Sequence, residues 1–465
     1  MRSFSLAAIA AVLLASTAPA AFAQDQGGAV TLQEAVAVAM KSNPEIIQAQ
    51  MNKEAIEFER RQAQGLYAPR VDLEASAGIR RLENQTRRTL GIADDVLYPL
   101  EAGIVGDWTV IDFGRRRGEL LRQAARVDGA SLRVVERSEF IALQVARQYF
   151  DVLLQQRVLA ASQDNATFHQ MLVGDLGKGV EQGSISIADR QQAEERLQAA
   201  LVREVEARQD LTNATITLRR LTGLDIDQVV VPPNLAAALP QSLDQAVGRA
   251  RTNHPRVREA QADIDAAHGL IKSAEGDLLP TIGLEVRGRI GDDIDGFRGE
   301  TNDVQGRVVL KWNIFDGGIN RAKVQEMVRR ASEARYRLHD LERQAEEDVR
   351  TAWTTMESQA DIVTKVERQS QVSDDLLLSY RSQFNVGRRS LLDVLDAQNT
   401  RYNTQVRLET SRFSQLFAQY QTLAAANGLL DALNVAPGAG AGEAEREQFD
   451  YGPPAPAELD RRVRG

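Results

Sequence analysis

The sequence predicts a mixed α and β membrane protein with an internal two-fold repeat. In it, strands of a shared β-barrel run on into long α-helices with a coiled-coil period. Three observations carry this reading. The chain opens on an export signal and has no later apolar helix, most of it is stated twice, and period-two segments hand over to long proline-free helical stretches.

The address comes first. Arg2 supplies a positive n-region, Leu6 to Ala15 an apolar run, and Ala21-Phe22-Ala23 a small-x-small cleavage site. Residues 1–23 therefore read as a signal peptide, with the mature chain beginning near Gln24. The run is shorter than the ~20 residues a spanning helix needs. No later stretch qualifies either, so a membrane position requires a barrel. The 465 residues contain no cysteine, which excludes disulfides, thiolate metal sites, a Cys nucleophile and a lipid-modified N-terminal Cys. A formal net charge of -9 argues against a nucleic-acid partner. Charged residues at 26% with aromatics at only 5% suit long helices.

The repeat organises the rest. Thr31-Leu32-Gln33-Glu34-Ala35 returns as Ser242-Leu243-Asp244-Gln245-Ala246, Asn43-Pro44 as His254-Pro255, and Pro69 as Pro280. Trp108-Thr109-Val110-Ile111-Asp112-Phe113-Gly114 returns as Trp312-Asn313-Ile314-Phe315-Asp316-Gly317-Gly318, and Gly183 and Asp189 return as Gly387 and Asp393. The spacing between copies shortens between Pro69 and Trp108, where the first copy is longer. A unit of this length is a duplicated half-protein, not a solenoid repeat. The halves are 24–223 and 242–430, joined by a linker over 224–241 that contains Pro232-Pro233.

Each half begins with a helix that breaks at Asn43-Pro44 or His254-Pro255. Asn43 suits a cap, and Pro44 suits the first helical position. After Pro69 and Pro280 the period changes to two. Strands are predicted at about 70–82, 101–112, 281–290 and 303–314. Val71, Leu73, Ala75, Ala77 and Ile79 alternate with polar neighbours, as do Ile282, Leu284, Val286 and Ile290, and Val304, Val308, Leu310 and Trp312. A half-buried strand of a soluble sheet gives the same signal. The length near ten residues, the export signal, and Trp108 and Trp312 at matching ends as interface aromatics favour a membrane barrel.

Long helices follow, from Gly114 and from Gly318, without proline. The returning helices carry a seam that steps by four and three: Ala193, Leu197, Ala200, Glu204, Ala207, Leu211, Ala214, Leu218 and Leu221, then Leu395, Asn399, Tyr402, Val406, Glu409, Phe413, Leu416, Tyr420 and Leu423. That period predicts left-handed coiling against a neighbouring helix. Residues 431–465, rich in Gly, Ala, Pro and Glu from Pro437 onward, are expected to be disordered. Four strands per chain cannot close a membrane barrel, and open edges in lipid are costly, so several chains must share one. The sequence physics allows two, three or more.

The stretch Phe384-Asn385-Val386-Gly387-Arg388-Arg389-Ser390-Leu391-Leu392-Asp393-Val394-Leu395-Asp396-Ala397 closely resembles the second periplasmic tip turn of the TolC family of outer-membrane efflux proteins. The architecture resembles that family across essentially the whole mature chain. The resemblance implies a homotrimer in outer-membrane lipid, whose long helices close into an α-helical coiled-coil periplasmic barrel, a tapered tunnel closed at the tips. It implies docking there by a periplasmic adaptor (membrane fusion) protein and an inner-membrane transporter. It also implies that Asp393 and Asp396 form the entrance constriction and that Arg389 belongs to the network holding the tips shut. Well-studied members carry a tyrosine where this chain has Phe384, so that hydroxyl is missing. The first-half tip is marked by Gly183 and Asp189.

Asp393 and Asp396 lie on one helix face. In a trimer they would make a carboxylate ring that favours cations and suits divalent ions. Ser390 to Asp393, like Ser186 to Asp189, also has capping-box spacing, which explains Asp393 and Asp189 without a channel role. It does not explain Asp396. Gly183 and Gly387 read as turn residues with positive φ. Arg115-Arg116-Arg117 and Arg329-Arg330 read as solvated helix faces. His169, His254, His268 and His339 have no ligand spacing, and there is no phosphate loop or G-x-S-x-G. An enzyme, a cofactor and a resident metal are therefore not expected. For cargo, Gly299-Glu300-Thr301-Asn302-Asp303 leading into Trp312-Asn313, with Asp316-Gly317-Gly318, resembles the type I secretion branch. Multidrug efflux is the alternative. A non-conducting periplasmic scaffold is the second alternative, and it would need the strands in a soluble sheet.

Overall fold

The computed structural model describes residues 29–449 apart from 227 and 443. The expected signal peptide and the last part of the tail lie outside the described residues. In chain order the elements are α1 (Leu32–Ser42), α2 (Pro44–Gly65), β1 (Arg70–Ala77), β2 (Arg80–Arg81), α3 (Gln85–Thr89), β3 (Val96–Leu97), β4 (Leu100–Ile111), α4 (Arg115–Glu181) and α5 (Ile187–Thr222). The second half follows with α6 (Leu243–Asn253), α7 (Pro255–Gly276), β5 (Thr281–Asp292), β6 (Glu300–Lys311), α8 (Ile319–Asn385), α9 (Leu391–Ala425) and the short α10 (Leu429–Ala432).

The repeat in sequence is a repeat in geometry. α1 and α6 have 11 residues each, α2 and α7 have 22, and α4 and α8 have 67. The same devices start matching helices. Thr31 and Ser242 cap α1 and α6, while Asn43 and His254 accept from the backbone N–H two residues on, ahead of a proline. At ~1.5 Å per residue, a 67-residue helix is about 100 Å long. No such helix stands alone, and each packs against its return partner, α4 on α5 and α8 on α9. The predicted seam is the buried one: Ala193, Ala200, Ala207 and Ala214 recur every seven residues and are all buried. Their small side chains let the α4 and α5 backbones approach closely.

The four long strands form one antiparallel sheet in the order β1-β4-β5-β6. The β4–β5 pair, with Leu100 opposite Asp292 and Trp108 opposite Leu284, joins the two halves. β1 ends at Ala77, earlier than the predicted 82. Residues 80–81 pair instead with 96–97 in a separate small ribbon, after a last β1–β4 contact from the Gly78 N–H to the Pro99 carbonyl. β6 ends at Lys311, so Trp312 sits just past the strand.

Where strands meet helices, Asp112 is buried and accepts from the backbone N–H groups of Gly114 and Arg116. Asp316 does the same for Gly318 and Asn320. The expectation of a solvated Arg115-Arg116-Arg117 fails at its middle residue. Arg116 is buried, pairs with Asp112 at 2.9 Å, and donates to the carbonyls of Leu66, Thr109 and Val110. Its guanidinium also lies 4.6 Å from the Tyr67 ring centre. A buried guanidinium is held only when its donors are satisfied, and here every partner belongs to the junction. Arg115, Arg117, Arg329 and Arg330 are exposed, as expected.

At the equator, α1, α4, α5 and α9 enclose the largest apolar core, with Leu32, Val36, Ile46, Ile141, Tyr149, Phe150, Tyr420 and Leu429 among its buried members. The linker is laced to two fully buried tyrosines. The Tyr149 hydroxyl lies 2.7 and 2.8 Å from the Val30 and Val230 carbonyls, which share its one proton, and accepts from the Val230 N–H, while the Tyr420 hydroxyl donates to the Pro233 carbonyl. The disorder expected from 431 onward is overturned for the described part of the tail. Leu433 is buried, Gly438 donates to Ser138 Oγ, and Arg446 bridges Asp128 and Asp265 at 2.9 and 2.8 Å. Composition pointed to disorder, but the small residues let this segment lie flat: a Cβ on Gly438 would stand 2.6 Å from an Ile46 methyl.

Candidate functional site: the passage and its ends

The sheet has two unlike faces. One carries Val71, Leu73, Ile104, Trp108, Leu284, Val286, Ile290, Val304, Val308 and Leu310, all in register across the four strands. That face is bare, with Leu73 79% exposed and Val304 83% exposed. The other face is a charge ladder. Arg307 and Lys311 flank Glu285, Arg289 reaches Asp303 and Glu101, and Arg287 stands 3.8 Å from Glu101. Burying the apolar face in lipid and wetting the charged one is the barrel arrangement. A soluble sheet would need a helical layer over the bare face. The outer strands β1 and β6 each keep one open edge within the chain. Trp108 and Trp312 are equivalent in space, each donating its indole N–H to a carbonyl at the end of the preceding helix, Tyr67 or Leu278.

About 100 Å of helix away, the hairpins turn. Both α4 and α8 end on a glycine with φ of +73°, Gly183 and Gly387. Each is a Schellman turn. Gly387 donates to Phe384 and Arg388 to Gln383, and Gly183 donates to Val180 and Ser184 to Gly179. Ser390 then caps α9. It accepts from the Asp393 N–H and donates both its own N–H and its hydroxyl to Asp393 Oδ2. Ser186 and Asp189 form the same hydroxyl-to-carboxylate contact at 2.7 Å. So Asp393 completes the capping box its spacing predicts, while Asp189 takes only the Ser186 hydroxyl and leaves the backbone half of the box unmade.

Arg389 is fixed from three sides. Its guanidinium lies 4.0 Å from the Tyr380 ring centre, Nε donates to Gln383 at 3.2 Å, and Nη1 is 3.8 Å from Asp393. Phe384 is part-buried between the hairpins, against Leu172, Leu176, Leu391 and Leu395 on one side and Leu377 and Val394 on the other. Asp396 is different. It is exposed one turn into α9 and makes no hydrogen bond or ion pair among the described residues. Among the described residues no three His, Cys, Asp or Glu side chains gather as a metal site. A divalent ion at Asp396 would need carboxylates from more than one chain.

The profile of the outer membrane efflux protein family matches residues 35–224 and 246–434, that is, both halves. The chain belongs to that family. Outer membrane efflux protein BepC of Brucella suis is 27% identical over 284 residues, 60% of this chain and 61% of that protein. Outer membrane protein TolC of Escherichia coli is 23% identical over 410 residues, 84% of this chain and 81% of that one. Alkaline protease secretion protein AprF of Pseudomonas aeruginosa is 24% identical over 292 residues, 60% of each chain. The chain thus matches about three fifths of the length of BepC and of AprF. Among solved structures, a membrane protein from Pseudomonas aeruginosa superposes with a TM-score of 0.76 at 17% identity, covering 89% of this chain and 92% of that one. The Campylobacter jejuni CmeC outer membrane channel gives 0.75 at 16% identity, covering 86% of each. These two likenesses carry the fold. As an outer membrane efflux protein, the chain sits in the outer membrane and extends into the periplasm.

Several tip residues of this family member were not legible beforehand. Tyr380 and Gln383, which hold Arg389, look like ordinary helix positions. So do Asp374 and Arg401, which tie α8 to α9 at 2.6 Å. Buried polar pairs join α4 to α9, Ser162 with Tyr402 and Asn165 with Gln398, both at 2.9 Å. The polar interruptions of the α4 apolar pattern at Ser162, Asn165 and His169 were the available signal.

Proposed function

We infer that this chain is the exit duct of a tripartite export system, acting as a homotrimer, with protein carried by type I secretion as its cargo. The observation that carries the duct is the two-faced sheet with both edges open. It is sealed only when further copies pair with β1 and β6, and the charged face then lines an aqueous passage. The helical hairpins continue that passage into the periplasm. In a trimer, Asp396 would place a ring of free carboxylates at the narrow end, attracting cations and open to divalent block. The tips are where a periplasmic adaptor and an inner-membrane transporter would engage. The charge ladder and Asp396 bind or steer by field alone, and no acid–base or nucleophilic pair is needed for passage.

Protein cargo is supported by the stretch Gly299 to Asp303 with Trp312-Asn313, and by similarity to a relative named for alkaline protease secretion. Small-molecule efflux is the second reading, favoured by the relative named as an efflux protein. The culture-supernatant proteome of a deletion strain tests the choice. Loss of one or a few secreted proteins, with drug susceptibility unchanged, is the expected result. An unchanged supernatant with new drug sensitivity would sink the secretion reading and leave the duct standing.

A further inference from the structure

The extra residues of the first copy, between β1 and β4, are spent on β2, α3 and β3, at the end of the barrel opposite the helices. This segment is not a loose loop. Arg87 on α3 is 1% exposed, and its guanidinium donates to the carbonyls of Ile92 and Asp95 within the segment and of Gly296 in the β5–β6 turn. Arg80 donates to the Ile294 carbonyl. Asp293 ties the turn back, accepting from the Tyr98 and Gly299 N–H groups, both at 3.1 Å. Leu97 and Ile294 are buried between the two loops. The fit is close at Gly296, where φ is +92° and a Cβ would stand 2.8 Å from a Leu82 methyl.

The fused loops lean to one side. Arg289, on the charged face of β5, donates to Asp295 of the turn at 3.0 Å and is 26% exposed. Its neighbour Ile290 on the apolar face is 62% exposed, and so is Leu100 opposite that end. At this end of the sheet the loops therefore lie over the charged face, at Arg289, and leave the apolar face clear.

From this we propose that Arg87 is a positioning residue that locks each chain's two outer loops into a fixed collar over the lumen, so the barrel exit is a permanent constriction with a set bore. A guanidinium suits the role because its planar fork serves several carbonyls at once, and a buried charge released from them has nowhere cheaper to go. The proposal rests on the charged face being the lumen. It adds a second size limit, independent of the periplasmic tips.

Polymer exclusion in a planar bilayer tests it with the full chain. Poly(ethylene glycol)s of graded mass are added to the side the barrel mouth faces, and the largest polymer that still lowers conductance is recorded. Arg87→Ala, and a second variant with residues 82–95 replaced by Gly-Gly, are expected to admit larger polymers than the unsubstituted protein. Arg87→Lys should fall between, since one ammonium cannot span all three carbonyls. Polymers added from the tip side should give one cutoff for all four proteins. An unchanged mouth-side cutoff in both the Ala and the Gly-Gly variants would overturn the collar while leaving the duct intact. If even the unsubstituted protein never conducts, the duct reading fails and the collar falls with it.

Discussion

Replacing Arg116 by methionine should loosen the joint between barrel and tunnel. The change keeps most of the side-chain volume but removes the charge, leaving Asp112 buried beside a thioether and the carbonyls of Leu66, Thr109 and Val110 without their donor. Burial by itself raises the Asp112 carboxyl. The backbone and side-chain hydrogen bonds from Arg116 outweigh that and hold it below the ordinary aspartate range. Breaking a buried pair on one side costs roughly 3–5 kcal/mol. The second half supplies an internal comparison, because Asn320 occupies the matching place and sends its amide to the Asp277 carbonyl. Arg116→Asn should therefore cost less than Arg116→Met. The exposed neighbour Arg117→Met should stay within about 0.5 kcal/mol of the parent. The assay is the temperature at which the detergent-solubilised oligomer dissociates, with trypsin cleavage near Gly114 as a local readout. If Arg116→Met and Arg117→Met behaved alike, the joint would not depend on this ion pair.

Gly118→Ala should also be severe. The new Cβ would lie 2.4 Å from the Ser273 nitrogen and 2.6 Å from the Gly269 carbonyl, forcing α4 off α7. A loss of at least ~1–3 kcal/mol is expected, read as the same dissociation temperature. Two groups, Glu139 half-buried and His169 buried, should give opposite pH slopes. Burial pushes Glu139 up to about 7, with the Leu430 N–H opposing and Asp431 adding to the rise. Its raised folded value means that stability is fully present below the unfolded value and is lost as pH rises through about 7. Burial, then Arg196 and Arg203, pushes His169 down to about 4, so its contribution is present above the unfolded value and lost as pH falls toward about 4. Each is worth at most ~3 kcal/mol. Between pH 4.5 and 7, Glu139→Gln should steepen acid destabilisation and His169→Gln should flatten it, and unchanged slopes would remove both assignments. Asp396→Ala should raise conductance and weaken divalent block. Asp393→Ala should mainly cost a cap, about 1 kcal/mol of stability, with less effect on block.

The halves, the strand–helix order and the tip turn were legible because each rests on local chemistry that recurs. Proline begins each strand region, glycine takes positive φ at each tip, and alanine repeats every seven residues in α5. What stayed hidden depends on long-range partners. Arg116 and Arg87 look like surface arginines until the fold adds the distant carbonyl of each set, Leu66 at the end of α2 for the first and Gly296, in a turn some two hundred residues away, for the second. The packed tail was hidden for the same reason, since Arg446 lies between Glu445 and Glu447 in the sequence and meets Asp128 and Asp265 only in the fold. At the tip, the capping-box spacing already set Asp393 apart from Asp396, and the structure bears the difference out. The structure gives the first a hydroxyl and a backbone N–H, and leaves the second free.

The central claim is that copies of this sheet close around an aqueous passage. Purified protein in a planar bilayer, checked beforehand as an oligomer that heating converts to monomer, tests it most directly. The account expects discrete conductance steps that divalent cations reduce. A stable monomer that leaves the bilayer silent would contradict it.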